Sequence, residues 1–227
     1  MSAELFEPGF DSLPEALPIF PLTGVLLLPG GKLPLNIFEP RYLAMTRDAL
    51  AGTRLIGMVQ PNPAADSPQP SDGGAAEVYK TGCAGRITAF NETEDGRYLI
   101  SLSGLIRFDI AEELPMVSGY RRVRPDWSRF SGDLNDVEGA EAAIDRDRLL
   151  DALRAYFDAE GLSGDWDAIS QTHDERLVTS LAMICPFGGP EKQALLEAPD
   201  LAERARTITA ILEMAALDGG EGAASRH

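Results

Sequence analysis

The chain has 227 residues, enough for one domain or two small ones with a real core, and its 44% hydrophobic and 7% aromatic content is that of a soluble globular protein. No run approaches the ~18 apolar residues of a membrane span. Thirty-six acids against 20 bases leave a net charge of −16, spread as 15 to 8 over residues 1–120 and 21 to 12 over 121–227, so both halves repel a phosphate backbone and nucleic-acid binding is disfavoured.

Residues 1–14 lack periodicity and contain Pro8-Gly9 and Pro14, the pattern of a flexible N-terminal segment. Glu4 and Glu7 stand where an export signal would be basic, which points to the cytoplasm. Leu17 to Phe38 supplies two strands separated by the Pro29-Gly30-Gly31 turn. A helix starts at Glu39-Pro40, because a proline at the first helical position gives up an N–H that would have no partner there anyway. Tyr42, Leu43, Met45, Ala49 and Leu50 are its apolar stripe, and Leu55–Val59 reads as a buried strand. Pro61–Ala76, with four prolines and almost no large apolar side chain, cannot offset its ordering entropy and reads as a loop. Val78–Ile110 is the densest β signal: Tyr98, Ile100 and Leu102 take one face and Leu99, Ser101 and Ser103 the other. A further strand carries Ile106, Phe108 and Ile110, with Gly104 suited to a bend or bulge between the two. Gly119–Phe130 sets Arg121, Arg122, Arg124 and Arg129 around Trp127. Such a cluster either grips a nucleic acid strand or closes the β domain with its arginines paired to acids.

The period turns helical after a polar linker, residues 131–140. Ile144, Leu149, Leu150, Leu153 and Phe157 form one stripe, broken at Gly161 and Gly164. Thr172-His173-Asp174-Glu175 has capping-box spacing and opens a helix with Leu177, Leu181 and Ile184 on one face. Pro190 starts a short helix, and Asp200 caps another with Leu201, Ala205, Ile208, Leu212 and Ala215, which Asp218-Gly219-Gly220 should stop.

Three phrases in this order, Leu17-Pro18-Ile19-Phe20-Pro21-Leu22, Leu28-Pro29-Gly30 and Leu33-Pro34-Leu35, resemble the start of the Lon N-terminal domain family, the substrate-recognition module of Lon proteases. The likeness continues in Leu102, Gly104 and Arg107, and in Lys192, Leu195, Leu196, Glu197, Asp200 and Arg204. The resemblance implies an α+β protein, with a PUA-like small β-barrel domain holding one internal helix (residues 15–130), the linker, a C-terminal helical bundle (141–217) and a disordered tail (218–227). It is that of a stand-alone, bacterial-type member, because no ATPase or protease module fits in what remains.

Little else in the sequence carries chemistry. Gly30-Gly31-Lys32-Leu33 lacks the first glycine and the hydroxyl of a phosphate-binding loop, which implies ATP independence. Cys83 and Cys185 have no CxxC spacing and read as free thiols in a reducing compartment. His173 and Cys185, roughly 18 Å apart at the helical rise, are beyond proton transfer, and two histidines with two scattered cysteines make no metal site. No cofactor and no catalytic residue is expected.

The expected function is non-catalytic binding of unfolded or damaged polypeptides, as an adaptor or regulator of proteolysis working with a separate protease. No membrane or nucleic-acid partner is expected. RNA binding through the PUA-like fold and an unrecognised hydrolase are the alternatives. The expected site lies where the β domain meets the helical portion, at Phe38, Glu39, Arg41 and Tyr42. There Phe38 and Tyr42 contact peptide and Glu39 and Arg41 orient it; the competing reading is an apolar staple at a helix start with a surface ion pair.

Overall fold

A computed structural model describes residues 9–62, 77–134 and 144–224, with side chains as far as Leu217. The chain divides into two compact units, Met1–Glu138 and Gly139–His227.

The first unit is built on six strands, β1 (Leu17–Pro21), β2 (Lys32–Ile37), β3 (Leu55–Val59), β4 (Thr81–Glu92), β5 (Tyr98–Val117) and β6 (Tyr120–Asp126), with helix α1 (Pro40–Ala51) between β2 and β3. They form one sheet in the order β2-β5-β4-β3-β1-β6. All neighbours are antiparallel except β1 and β3. Strand β5 also pairs with β6, so the circuit β5-β4-β3-β1-β6 returns to its starting strand while β2 stays outside it. This circuit encloses Leu17, Ile19, Leu55, Ala84, Ile106, Phe108 and Val123, capped by Trp127 and Phe130.

Gly104 does not separate two strands. It lies within a single strand, β5, of 20 residues. The expected bulge is beside it, where the β4–β5 register shifts between Ala84 and Gly85. Gly104 has a further duty, since a Cβ there would stand 1.9 Å from the carbonyl oxygen of Leu28. Only a bare backbone lets the Leu26–Gly31 segment cross this closely, and it is fastened there by Gly30 N–H to Gly104 O (3.0 Å) and Gly104 N–H to Gly31 O (2.8 Å).

The polar stretch expected to be a linker begins differently. Ser128–Leu134 forms 3-10 turns, and Asp133 is drawn into the sheet by Arg107. The guanidinium donates to both carboxylate oxygens (2.8 and 2.7 Å), the Arg107 backbone N–H adds a third bond (3.0 Å), and the Phe130 ring lies 4.4 Å beneath. A nearly buried cation needs such a partner, and Asp133 on the turn that follows β6 supplies it. Residues 135–140 lie outside the described residues, as do 1–8 of the flexible segment and 63–76 of the proline-rich loop. The roots of that loop are tied together by the Pro61–Val78 bridge.

The second unit holds α2 (Arg146–Glu160), α3 (Trp166–Gln171), α4 (Asp174–Ile184), α5 (Gly189–Glu197) and α6 (Leu201–Ala224), with α2, α4 and α5 packed on α6. Asp145 caps α2, and Gly161, at φ 65°, ends it in the left-handed conformation that favours glycine. Helix α3 escapes the sequence reading because six residues are too few to show a period. It also removes the expected capping box: the Thr172 hydroxyl turns back to Ala168 O (2.8 Å), and His173 caps α4 without a side-chain bond. Arg146 takes over the junction, donating to the carbonyls of Ile169, Ser170 and Thr172 and pairing with Asp174.

In α4 the buried face is Leu177, Val178 and Ala182, and Ile184 is exposed, so its apolar stripe lies one residue away from the expected one. Helix α6 continues past Gly219-Gly220 to Ala224, since a glycine costs about 1 kcal/mol in a helix but removes no hydrogen bond. Among the described residues no helix is long and apolar enough to cross a membrane.

Candidate functional site

The strand-to-helix corner after β2 starts from a local conflict. Pro40 forces Glu39 into an extended conformation (φ −70°, ψ 134°), and the Glu39 carbonyl receives the first helical N–H groups, those of Tyr42 and Leu43, both at 2.9 Å. The Glu39 side chain makes no cap and pairs with Arg41 at 2.8 Å. Arg41 in turn lies 4.6 Å over the Tyr42 ring.

These contacts divide the four residues singled out in the sequence. Tyr42 is 7% exposed and packs on Phe20 with ring centroids 4.2 Å apart. Burial pushes its hydroxyl pKa up, and the Arg41 charge partly offsets that. Phe38 is 62% exposed, and the Arg97 guanidinium lies 6.0 Å from its ring centroid. Phe38 is therefore the one apolar side chain of the four that offers its surface to solvent.

Phe38 follows the end of β2, where Ile37 pairs with Tyr98. Along the same strands, Pro34, Leu35, Asn36, Phe90, Leu99 and Ser101 line an open groove of about 490 Å³. Leu99 and Phe90 are each 44% exposed, and Phe90 is held edge-on against Tyr98 at 5.0 Å. The sequence reading passed over this groove although it held a signal. Leu99 is a large apolar residue in the outward phase of an alternation whose other members are serines.

Trp127 and its arginines sit elsewhere. The indole N–H donates to Pro14 O (3.3 Å) and the ring packs edge-on to Phe108. Arg121 pairs with Glu113, Arg124 with Glu112 and Arg129 with Asp109, as the domain-closing reading expects. His173 is exposed at the start of α4, while Cys185 is buried at its end. Burial pushes the Cys185 thiol up to about 11, against a lowering influence of Lys192, so little nucleophilic thiolate forms near neutral pH.

The first unit thus presents a mixed α+β fold with an open groove on its sheet. The chain belongs to the family of the ATP-dependent protease La (LON) substrate-binding domain, whose model matches residues 16–214. It is similar to Lon protease 2 of Myxococcus xanthus, 27% identical over 215 residues that make up 93% of this chain and 25% of that protein. Lon protease of Anaeromyxobacter dehalogenans is 27% identical over 202 residues, 89% of this chain and 23% of that one. The chain thus spans about a quarter of the length of these curated relatives. Two solved structures share the fold: a Lon N-terminal domain protein from Xanthomonas campestris (TM-score 0.59, 21% identity, 86% of this chain and 97% of that one) and the N-terminal domain of Mycobacterium avium complex Lon protease (TM-score 0.60, 16% identity, 87% and 97%).

Proposed function

We propose that this chain is a non-catalytic, cytoplasmic polypeptide-binding module that captures unfolded or damaged proteins and passes them to, or withholds them from, a separate protease. The observation that carries this reading is the exposure of two large apolar side chains, Phe38 and Leu99, on the end of the sheet. Apolar surface held out on a rigid scaffold is what an unfolded chain can cover and a folded one has little to offer to. Family membership supports the same reading, as does the name of the matching domain. Phe38 contacts the client; Glu39, Arg41 and Tyr42 hold the corner that presents it. We also read the closed strand circuit as a small PUA-like barrel and the second unit as a helical bundle.

The test is capture of a fluorescently labelled, reduced and carboxymethylated protein, followed by anisotropy. Phe38→Ala and Leu99→Ser should each weaken capture about tenfold, in keeping with the loss of a central apolar anchor, and leave the circular dichroism unchanged. Parent-like binding by both folded variants would remove the site. Hydrolysis of peptide or nucleotide by the purified chain would remove the non-catalytic reading.

A further inference from the structure

The open edge of β2 carries an inference that rests on the proposed function and names its substrate class. Among the described residues β2 pairs with β5 alone, so one side of it has no strand partner. Which of its backbone groups face that side follows from the register. Gly104 N–H bonds to Gly31 O, and the β2–β5 partners run on without a shift from Lys32 opposite Ser103 to Ile37 opposite Tyr98. Antiparallel ladders alternate hydrogen-bonded and non-bonded pairs. Residues 33, 35 and 37 therefore turn their N–H and C=O toward β5, while 32, 34 and 36 turn theirs outward. Pro34 agrees with this phase, since a proline inside a paired strand is tolerated where its missing N–H would point to the open side.

We infer that this edge takes up clients as an added β-strand: the substrate class is an extended segment with alternating apolar side chains and an acidic residue near one end. The edge offers three carbonyls, those of Lys32, Pro34 and Asn36, and two N–H groups, because Pro34 has none. An incoming strand meets an acceptor at every outward position and a donor at the two ends. β2 is already held along its whole length by β5, so the ordering cost of docking falls on the client alone. Side chains of the added strand lie beside Pro34 and Asn36 on one face and Leu33 and Leu35 on the other. Lys32 is the only charged residue on β2, on a chain of net charge −16, and it selects the acidic end. Self-pairing is disfavoured: an antiparallel copy centred on Pro34 sets proline against proline and loses both central donors.

A fluorescein-labelled ten-residue peptide of alternating valine and threonine with a terminal glutamate serves as the probe, with a series N-methylated at single positions. Strand addition predicts a two-residue period: methylation at alternate positions weakens binding about fivefold or more, the loss of one hydrogen bond and the added bulk, and the positions between have little effect. Asn36→Pro, which removes an outward donor and spares the β2–β5 ladder, should weaken the unmodified peptide to a similar extent at an unchanged thermal midpoint. Equal sensitivity at every position, or parent-like binding by folded Asn36→Pro, overturns strand addition. If Phe38→Ala still weakens capture of the carboxymethylated protein about tenfold in that case, the apolar site survives by itself. If neither the peptide nor the carboxymethylated protein binds the parent chain, both readings fall. A concentration-dependent dimer abolished by Asn36→Pro would give the edge to a second copy and overturn the client reading.

Discussion

The two halves of β5 are built for opposite ends. Beyond Gly104 the strand is locked on all sides: Leu28 crosses within contact of its backbone, Arg107 is pinned to Asp133, Phe108 fills the core and β6 closes the circuit. Before Gly104 it carries the edge strand β2 on one flank and leaves Leu99 exposed to solvent. One strand thus anchors the scaffold with its later half and displays Leu99 on its earlier half.

The contrast can be broken most severely at Gly104. Gly104→Ala places a methyl group inside the Leu28 carbonyl, and several kcal/mol of destabilisation, at or beyond the upper range for overpacking, should appear as loss of soluble folded protein or a collapsed urea midpoint. Next is the latch. Arg107→Ala strands the Asp133 carboxylate without its partner and should cost about 3–5 kcal/mol in chemical denaturation, with Asp133→Ala costing a similar amount.

Tyr120 gives a smaller, pH-dependent effect. Burial, and after it the bond donated to Asp48 at 2.8 Å, together push its hydroxyl up to about 12. A folded pKa above the unfolded value near 10 means that the folded state holds the proton more tightly. The stabilisation is complete below pH ~10 and lost as pH rises toward 12. Tyr120→Phe should flatten that part of the stability profile and cost about 1 kcal/mol at neutral pH. On the displayed half the sign changes: Phe38→Ala should shift the urea midpoint negligibly, because the ring is already mostly in water, while weakening client capture. The smallest effect is chemical. Cys83 and Cys185 are both buried and should stay unmodified by a thiol reagent in native protein, reacting only after denaturation.

Much of the fold was legible because the deciding interactions are local. The β2 and α1 boundaries follow from a Pro-Gly turn and a proline at the first helical position, and the caps at Asp145, Gly161 and Asp200 lie within a few residues of what they satisfy. Several of the phrases that carry the family likeness turn out to serve structure. Gly104 admits a crossing chain, Arg107 binds a turn, Lys192 reaches Met183 O and Arg204 reaches Leu195 O. The capping box at Thr172 failed because a preceding helix, too short to leave a period, claimed the hydroxyl first.

By itself, then, the sequence determined the run from β1 through α1 to β3, the caps of α2 and the corner at Phe38, since each depends on backbone preferences within a few residues. Tertiary structure alone decided that Tyr42 is buried and Phe38 exposed, that Asp133 pairs with Arg107 of β5, and that β2 is left with an open edge among the described residues. Those outcomes depend on which distant segment arrives at each face, and neither hydrophobic period nor local propensity encodes the identity of that neighbour.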